Sequence, residues 1–124
     1  MKITIKNLKC PSWNDLQRRH WSFQMKMMNG IKGLVVAEAR SQVPAKERTA
    51  AYWKGALPTE VHIIAHFQGS NRRDCDNLYV KPILDGLVFA KVIPDDNCDV
   101  VSSVKLTAIR NQEADSITIF LGTD

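Results

Sequence analysis

Between Glu60 and Gln68 the chain alternates residue by residue, with Val61, Ile63, Ala65 and Phe67 on one side and His62, Ile64, His66 and Gln68 on the other. A period of two sustained over that length is a β-strand with one buried face, because successive side chains point to opposite sides of a sheet. Such a strand needs hydrogen-bonding neighbours and a cover for its apolar side, and the remaining residues have to provide both. Met1 to Asn7 alternates in the same way, with Ile3 and Ile5 opposite Lys2, Thr4 and Lys6. Val100 to Ile109 and Ser116 to Leu121 are rich in Val, Ile and Thr and flank the polar loop Asn111 to Asp115, a pattern that predicts a terminal hairpin.

The cover comes from two stretches with helical spacing. From about Asn14 to Gln42, apolar residues recur at Leu16, Phe23, Met27, Ile31 and Leu34, with Ser12 or Asn14 as the N-cap and Pro44 closing the segment. Gly30 and Gly33 each cost such a helix about 1 kcal/mol against Ala, which predicts a bend or break near them. A second helix is expected over Leu78 to Phe89, with Ile83, Leu84, Leu87 and Val88 on its apolar side. Pro82 lacks an N–H and suits the first turn, so this helix should begin near Leu78 or Tyr79, or kink. The order β-α-β-α-β-β implies an α+β fold with helices packed on one face of a small sheet. At 124 residues the chain is long enough for one core burying roughly two-thirds of its unfolded surface, so residues 1–124 are read as a single domain.

Net charge is +4, a mild basic excess compatible with a phosphate-rich partner. The excess is unevenly spread. Six aspartates (Asp74, Asp76, Asp85, Asp95, Asp96 and Asp99) fall within one short stretch, and removing these six would leave +10. No apolar run approaches a membrane span, and Met1 to Lys6 has no signal-peptide core, so a cytoplasmic protein with no membrane partner is expected. Cys10, Cys75 and Cys98 are odd in number and show no C-x-x-C spacing, so reduced thiols are expected.

Asp74 and Asp76 are two residues apart, so an extended backbone would point both carboxylates the same way. Hard divalent cations such as Mg²⁺ prefer oxygen ligands and usually take one or two carboxylates, leaving waters and substrate phosphate to complete the shell. The pair Asp95-Asp96 follows the second helix and can return to the same place. Hydrolysis of a phosphodiester needs an activated water and neutralisation of the charge that builds on phosphorus and on the leaving oxygen, and metal ions supply both. Lys81 sits where its ammonium can stabilise that charge, with Asp85 one turn later. Each piece alone has a plainer explanation: Asp76-Asn77 as a cap, Asp95-Asp96-Asn97 as a turn, Lys81–Asp85 as a surface ion pair worth ~0.3–0.5 kcal/mol. Capping does not explain so many acids gathered in an otherwise basic chain, where they would repel one another and any phosphate backbone.

The run Arg72-Arg73-Asp74-Cys75-Asp76-Asn77-Leu78, then Lys81-Pro82-Ile83-Leu84-Asp85-Gly86-Leu87, then Val92-Ile93-Pro94-Asp95-Asp96 resembles the signature of the RusA family of Holliday junction resolvases. That signature is an R-x-D-x-D-N block, a K-P-x-x-D-x-L helix and a D-D turn. Pro11-Ser12-Trp13-Asn14 is similar to the family's N-terminal P-S-x-N element. The resemblance implies a homodimeric endonuclease that resolves four-way junctions with Mg²⁺, Mn²⁺ being the alternative ion. It further implies that Asp74, Asp76 and Asp96 bind the metal, that Lys81 is the catalytic lysine, and that Asp95 and Asp85 support them. Lys81 lies one residue farther from Asp76 than in the shorter form of the motif, a step of about 100° on an ideal helix.

A DNA substrate gives further residues a role. Arg72 and Arg73 precede the acids, and Arg18, Arg19 and Asn14 stand beside Trp13 and Trp21, which can stack on an exposed base or lie in the core. Ala45 to Pro58 is either a helical turn carrying Tyr52 and Trp53 or a mobile loop bringing Lys46, Arg48 and Lys54 to DNA. His62 and His66, four apart on a strand, read as polar surface, and Met25, Met27 and Met28 as adaptable packing or a dimer surface. Competing functions are cleavage of flaps or forks, non-catalytic DNA binding with structural acids, and a metal-stabilised domain of unrelated role.

Overall fold

The computed structural model describes residues 1–48, 52–53 and 55–122. Its elements are β1 (Lys2–Lys6), α1 (Trp13–Gln17), α2 (Trp21–Gln42), β2 (Thr59–Gln68), α3 (Lys81–Phe89), β3 (Val101–Gln112) and β4 (Ser116–Leu121), with 3₁₀ turns at Ala45–Glu47 and Cys75–Asn77. This is the α+β arrangement expected from the sequence, with the order β-α-β-α-β-β once α1 and α2 are taken together. The alternation in β2 is realised as read: Val61, Ile63, Ala65 and Phe67 are buried and the intervening residues are not. On the opposite face His62 and His66 are half-buried, with ring nitrogens 2.8 Å from the Thr107 hydroxyl and 3.1 Å from that of Thr118. They belong to the polar side of the sheet and are held by it.

The terminal hairpin does not form. The sheet order is β1-β4-β2-β3, so β4 lies between β1 and β2, antiparallel to both, while β3 runs parallel to β2 on the outer edge. Burial explains the choice. β4 carries Ile117, Ile119 and Leu121, each essentially inaccessible, and a central place removes all of them from water at about 1.5–3 kcal/mol apiece. β3 has few buried residues and tolerates an edge. The polar loop between them straddles the end of β2, where the Asp115 carboxylate accepts a 2.8 Å hydrogen bond from the Gln68 backbone.

The expected long first helix is divided, but not at its glycines. Ser12 caps α1, its hydroxyl accepting from the Asp15 N–H, and the chain breaks at Arg18–His20, where His20 caps α2 by accepting from the Ser22 N–H. Gly30 and Gly33 stay helical within α2, both on its exposed side. The buried residues of α2 are Ile31, Val35 and Ala39, all from its middle onward, so the first turns project beyond the core carrying exposed Trp21, Phe23 and Met25. Against the second half packs α3, through Ile83, Gly86 and Leu87. That helix starts at Lys81 rather than at Leu78 or Tyr79, with Pro82 in its first turn, because Leu78 is extended and bridges to Ser12.

Trp53 is buried and donates from Nε1 to the Val92 carbonyl at 2.6 Å, so it belongs to the core rather than to a free loop. Lys54 lies outside the described residues. Among the described residues no helix is long and apolar enough to cross a membrane.

Candidate active site

The acidic residues gather around the two ends of the segment joining β2 to β3. At the first end, Asp74 has an extended backbone but Cys75–Asn77 form a 3₁₀ turn, so Asp74 and Asp76 are not two successive outward positions of a strand. A 3₁₀ helix has about three residues per turn, which rotates Asp76 away from the direction an extended chain would give it. Both side chains are exposed and make no hydrogen bond or ion pair among the described residues.

Asn77 ties this turn to the N-terminal element. Its Nδ2 donates to the Ser12 hydroxyl at 2.8 Å, and its Oδ1 accepts from the Asn14 backbone N–H at 3.0 Å. The Tyr79 N–H adds a bond to the Pro11 carbonyl, and the Trp13 and Tyr79 rings meet at 4.9 Å. The P-S-x-N and D-N fragments, more than sixty residues apart in sequence, therefore form one clamp. From sequence alone Asn77 reads as a cap or turn residue, and no local spacing signals its partnership with Ser12. The longer interval between Asp76 and Lys81 falls in this extended linker, where no helical rotation applies, so the added residue does not turn Lys81 about an axis.

At the second end the chain reverses. α3 finishes at Phe89, Lys91 takes a left-handed conformation with φ +64, and Val92 and Ile93 are buried, which sends the chain back along the helix. The return brings Asp96 to the helix start, where Lys81 Nζ lies 3.0 Å from Asp85 Oδ1 and 3.4 Å from Asp96 Oδ2. The hydrogen bond and charge of Asp85, with the added charge of Asp96, raise the Lys81 pKa above its usual 10.5. The ammonium is about half exposed and fully protonated at neutral pH. Asp95 is differently employed, since its two oxygens accept from the Asp96 N–H at 2.7 Å and from the Asn97 side chain at 3.1 Å. The turn reading of Asp95-Asp96-Asn97 is thus correct for Asp95, while Asp96 faces the lysine.

The structure brings Lys81, Asp85 and Asp96 into contact and places Asp95 beside them. It shows no direct bond from this group to Asp74 or Asp76. Among the described residues no set of three or more His, Cys, Asp or Glu side chains is arranged to hold a metal ion.

Basic residues flank the first end. Arg72 is exposed, and the Arg73 guanidinium lies 4.7 Å from the centre of the Phe67 ring. Arg73 Nε is buried without a hydrogen-bond partner. Arg18 is exposed at the α1–α2 break, Arg19 stacks over Phe23 at 5.1 Å, and Asn14 is exposed. Trp13 and Trp21 are 45% and 69% accessible, which places them at the surface and not in the core.

Asp74, Arg72 and Arg73 also line a cleft of about 480 Å³ that runs beneath the clamp and has Leu16, Met27, Ile31 and Phe67 in its apolar floor. Cys10 lines it too, its thiol pushed up to about 12 by burial, and is therefore unreactive, whereas Cys75 and Cys98 are exposed. No protein-family model and no curated protein matches this chain.

Proposed function

We propose that this chain is a metal-dependent endonuclease of the RusA type, acting as a homodimer on four-way junctions and related branched DNA in the cytoplasm. The observation that carries the proposal is the Lys81 ammonium held between Asp85 and Asp96. The sequence resemblance assigns a lysine and a second acid pair to one site, and the lysine lies within 3.4 Å of Asp96, fifteen positions along the chain.

Carboxylate oxygens are the donors a hard divalent ion takes, although no three of these acids are gathered among the described residues. Asp74 and Asp76 offer carboxylate oxygens unclaimed by any cation among the described residues, and Mg²⁺ usually needs one or two carboxylates, with waters and phosphate completing its shell. Asp74, Asp76 and Asp96 would hold Mg²⁺ or Mn²⁺, with Asp85 and Asp95 positioning their neighbours. Bound there, the ion neutralises phosphate charge and acidifies a water.

Lys81, protonated throughout the physiological range, cannot serve as the base. It stabilises the developing charge on the phosphate or the leaving oxygen. Arg72, Arg73, Arg18, Arg19 and Asn14 contact the DNA backbone, and the projecting turns of α2 with Trp21, Phe23 and Met25 supply apolar surface for a second copy. A two-fold dimer presents two sites to two strands.

The test is cleavage of a labelled four-way junction against linear duplex, with Mg²⁺ or with chelator. The proposal expects metal-dependent cutting confined to the junction. Salt-sensitive junction binding with no cutting under any divalent ion would replace it with non-catalytic DNA binding, and a preference for flaps or forks would change the substrate and keep the chemistry.

A further inference from the structure

We propose that the cleft beneath the Asn77 clamp receives one unstacked nucleotide of the bound strand, its base on the apolar floor and its phosphate against Arg72 and Arg73. The inference deepens the nuclease reading and rests on it.

The floor is apolar and wide, formed by Leu16 of α1, Met27 and Ile31 of α2, and Phe67 at the end of β2. Its volume of about 480 Å³ falls within the ~300–1,000 Å³ usual for sites that enclose a small ligand. Lys9, Arg72 and Arg73 line the same cleft, against the carboxylates of Asp15 and Asp74. An apolar floor edged by cations matches a nucleotide, which carries a flat base and an anionic phosphate a few bonds apart.

Arg73 provides the second, independent indication. Its guanidinium lies on the Phe67 ring, and its Nε–H is buried with no acceptor. A buried donor without a partner is costly, and a guanidinium that turns from this position toward a phosphate oxygen in the cleft would satisfy it. Asp74 shares the cleft wall, so a nucleotide seated there lies next to the phosphate to be cut. The cleft also supplies a physical reason for preferring branched DNA. A paired base must be unstacked at a cost of a few kcal/mol, which is least where stacking is already interrupted.

The experiment uses four-way junctions carrying 2-aminopurine at successive positions around the branch point, bound by the intact protein in chelator. Fluorescence is expected to rise several-fold at one position or two adjacent ones. Met27→Trp, which fills the cleft, should abolish the rise and slow Mg²⁺-dependent junction cleavage about tenfold, the scale of one lost base-stacking contact. Met27→Phe, a smaller filling, serves if the tryptophan variant does not fold. The inference is overturned if wild-type protein binds and cuts the junction with no responding position, or if the rise survives in a folded cleft-filling variant. A junction neither bound nor cut by wild type removes the nuclease reading itself, and this inference with it.

Discussion

At Lys81 the ammonium touches two carboxylates, and their charge sets what the residue can do. A pKa raised above 10.5 in the folded protein means that the stability contributed by these contacts is fully present below 10.5 and is lost as pH rises through the higher folded value. Between about pH 6 and 9 neither that contribution nor the lysine's charge changes, so a rate dependent on Lys81 should not titrate through it there. Lys81→Met is expected to reduce junction cleavage by about 10²–10³-fold while leaving junction binding in chelator near wild type, as measured by single-turnover kinetics and gel shift. Asn77 acts by position instead. Asn77→Ala removes two hydrogen bonds that join the turn of Asp76 to Ser12 and Asn14, and should cost about 1–3 kcal/mol in urea unfolding. The common direction expected for Asp74 and Asp76 is undone by the 3₁₀ turn at Cys75–Asn77, but the Lys81–Asp85 pair was legible because its spacing is local. The role of Asn77 was not, because its partners are remote in sequence and it has the composition of an ordinary turn.

The elements were read well wherever burial has a period. β1 and β2 alternate and are half-buried as expected, and α3 carries its predicted apolar residues on the packed side. What periodicity cannot give is pairing. β3 and β4 look like a hairpin because a short polar loop separates them, yet the more apolar strand gains more from the centre of the sheet and β2 comes between them. No glycine or proline marks the break at Arg18–His20, whereas Gly30 and Gly33, where a break is expected, are accommodated within α2. Gly86 had the opposite fate. A Cβ there would stand 2.8 Å from Val35 Cβ and Cγ1, so the glycine is what allows α3 to approach α2. Gly86→Ala should destabilise the protein by about 1–3 kcal/mol in urea unfolding. That sign is opposite to the gain of about 1 kcal/mol that helix propensity alone predicts.

For the whole molecule, one hydrophobic core sets the geometry of both acidic ends. Val92 and Ile93 anchor the return of the chain to Lys81, while Leu78 and Cys10 anchor the clamp around Asn77. The start of α2 leaves Trp21 and Phe23 exposed, the surface that the proposed dimer would use. The proposed chemistry is tested by mapping the nicks made in a labelled four-way junction with Mg²⁺ by the wild-type protein and by Asp76→Asn, whose folding is checked by circular dichroism. Paired nicks at symmetrical positions are expected for wild type and none for the folded variant. Equal cutting by both proteins, or no cutting by wild type that nonetheless binds the junction, would contradict the proposed chemistry.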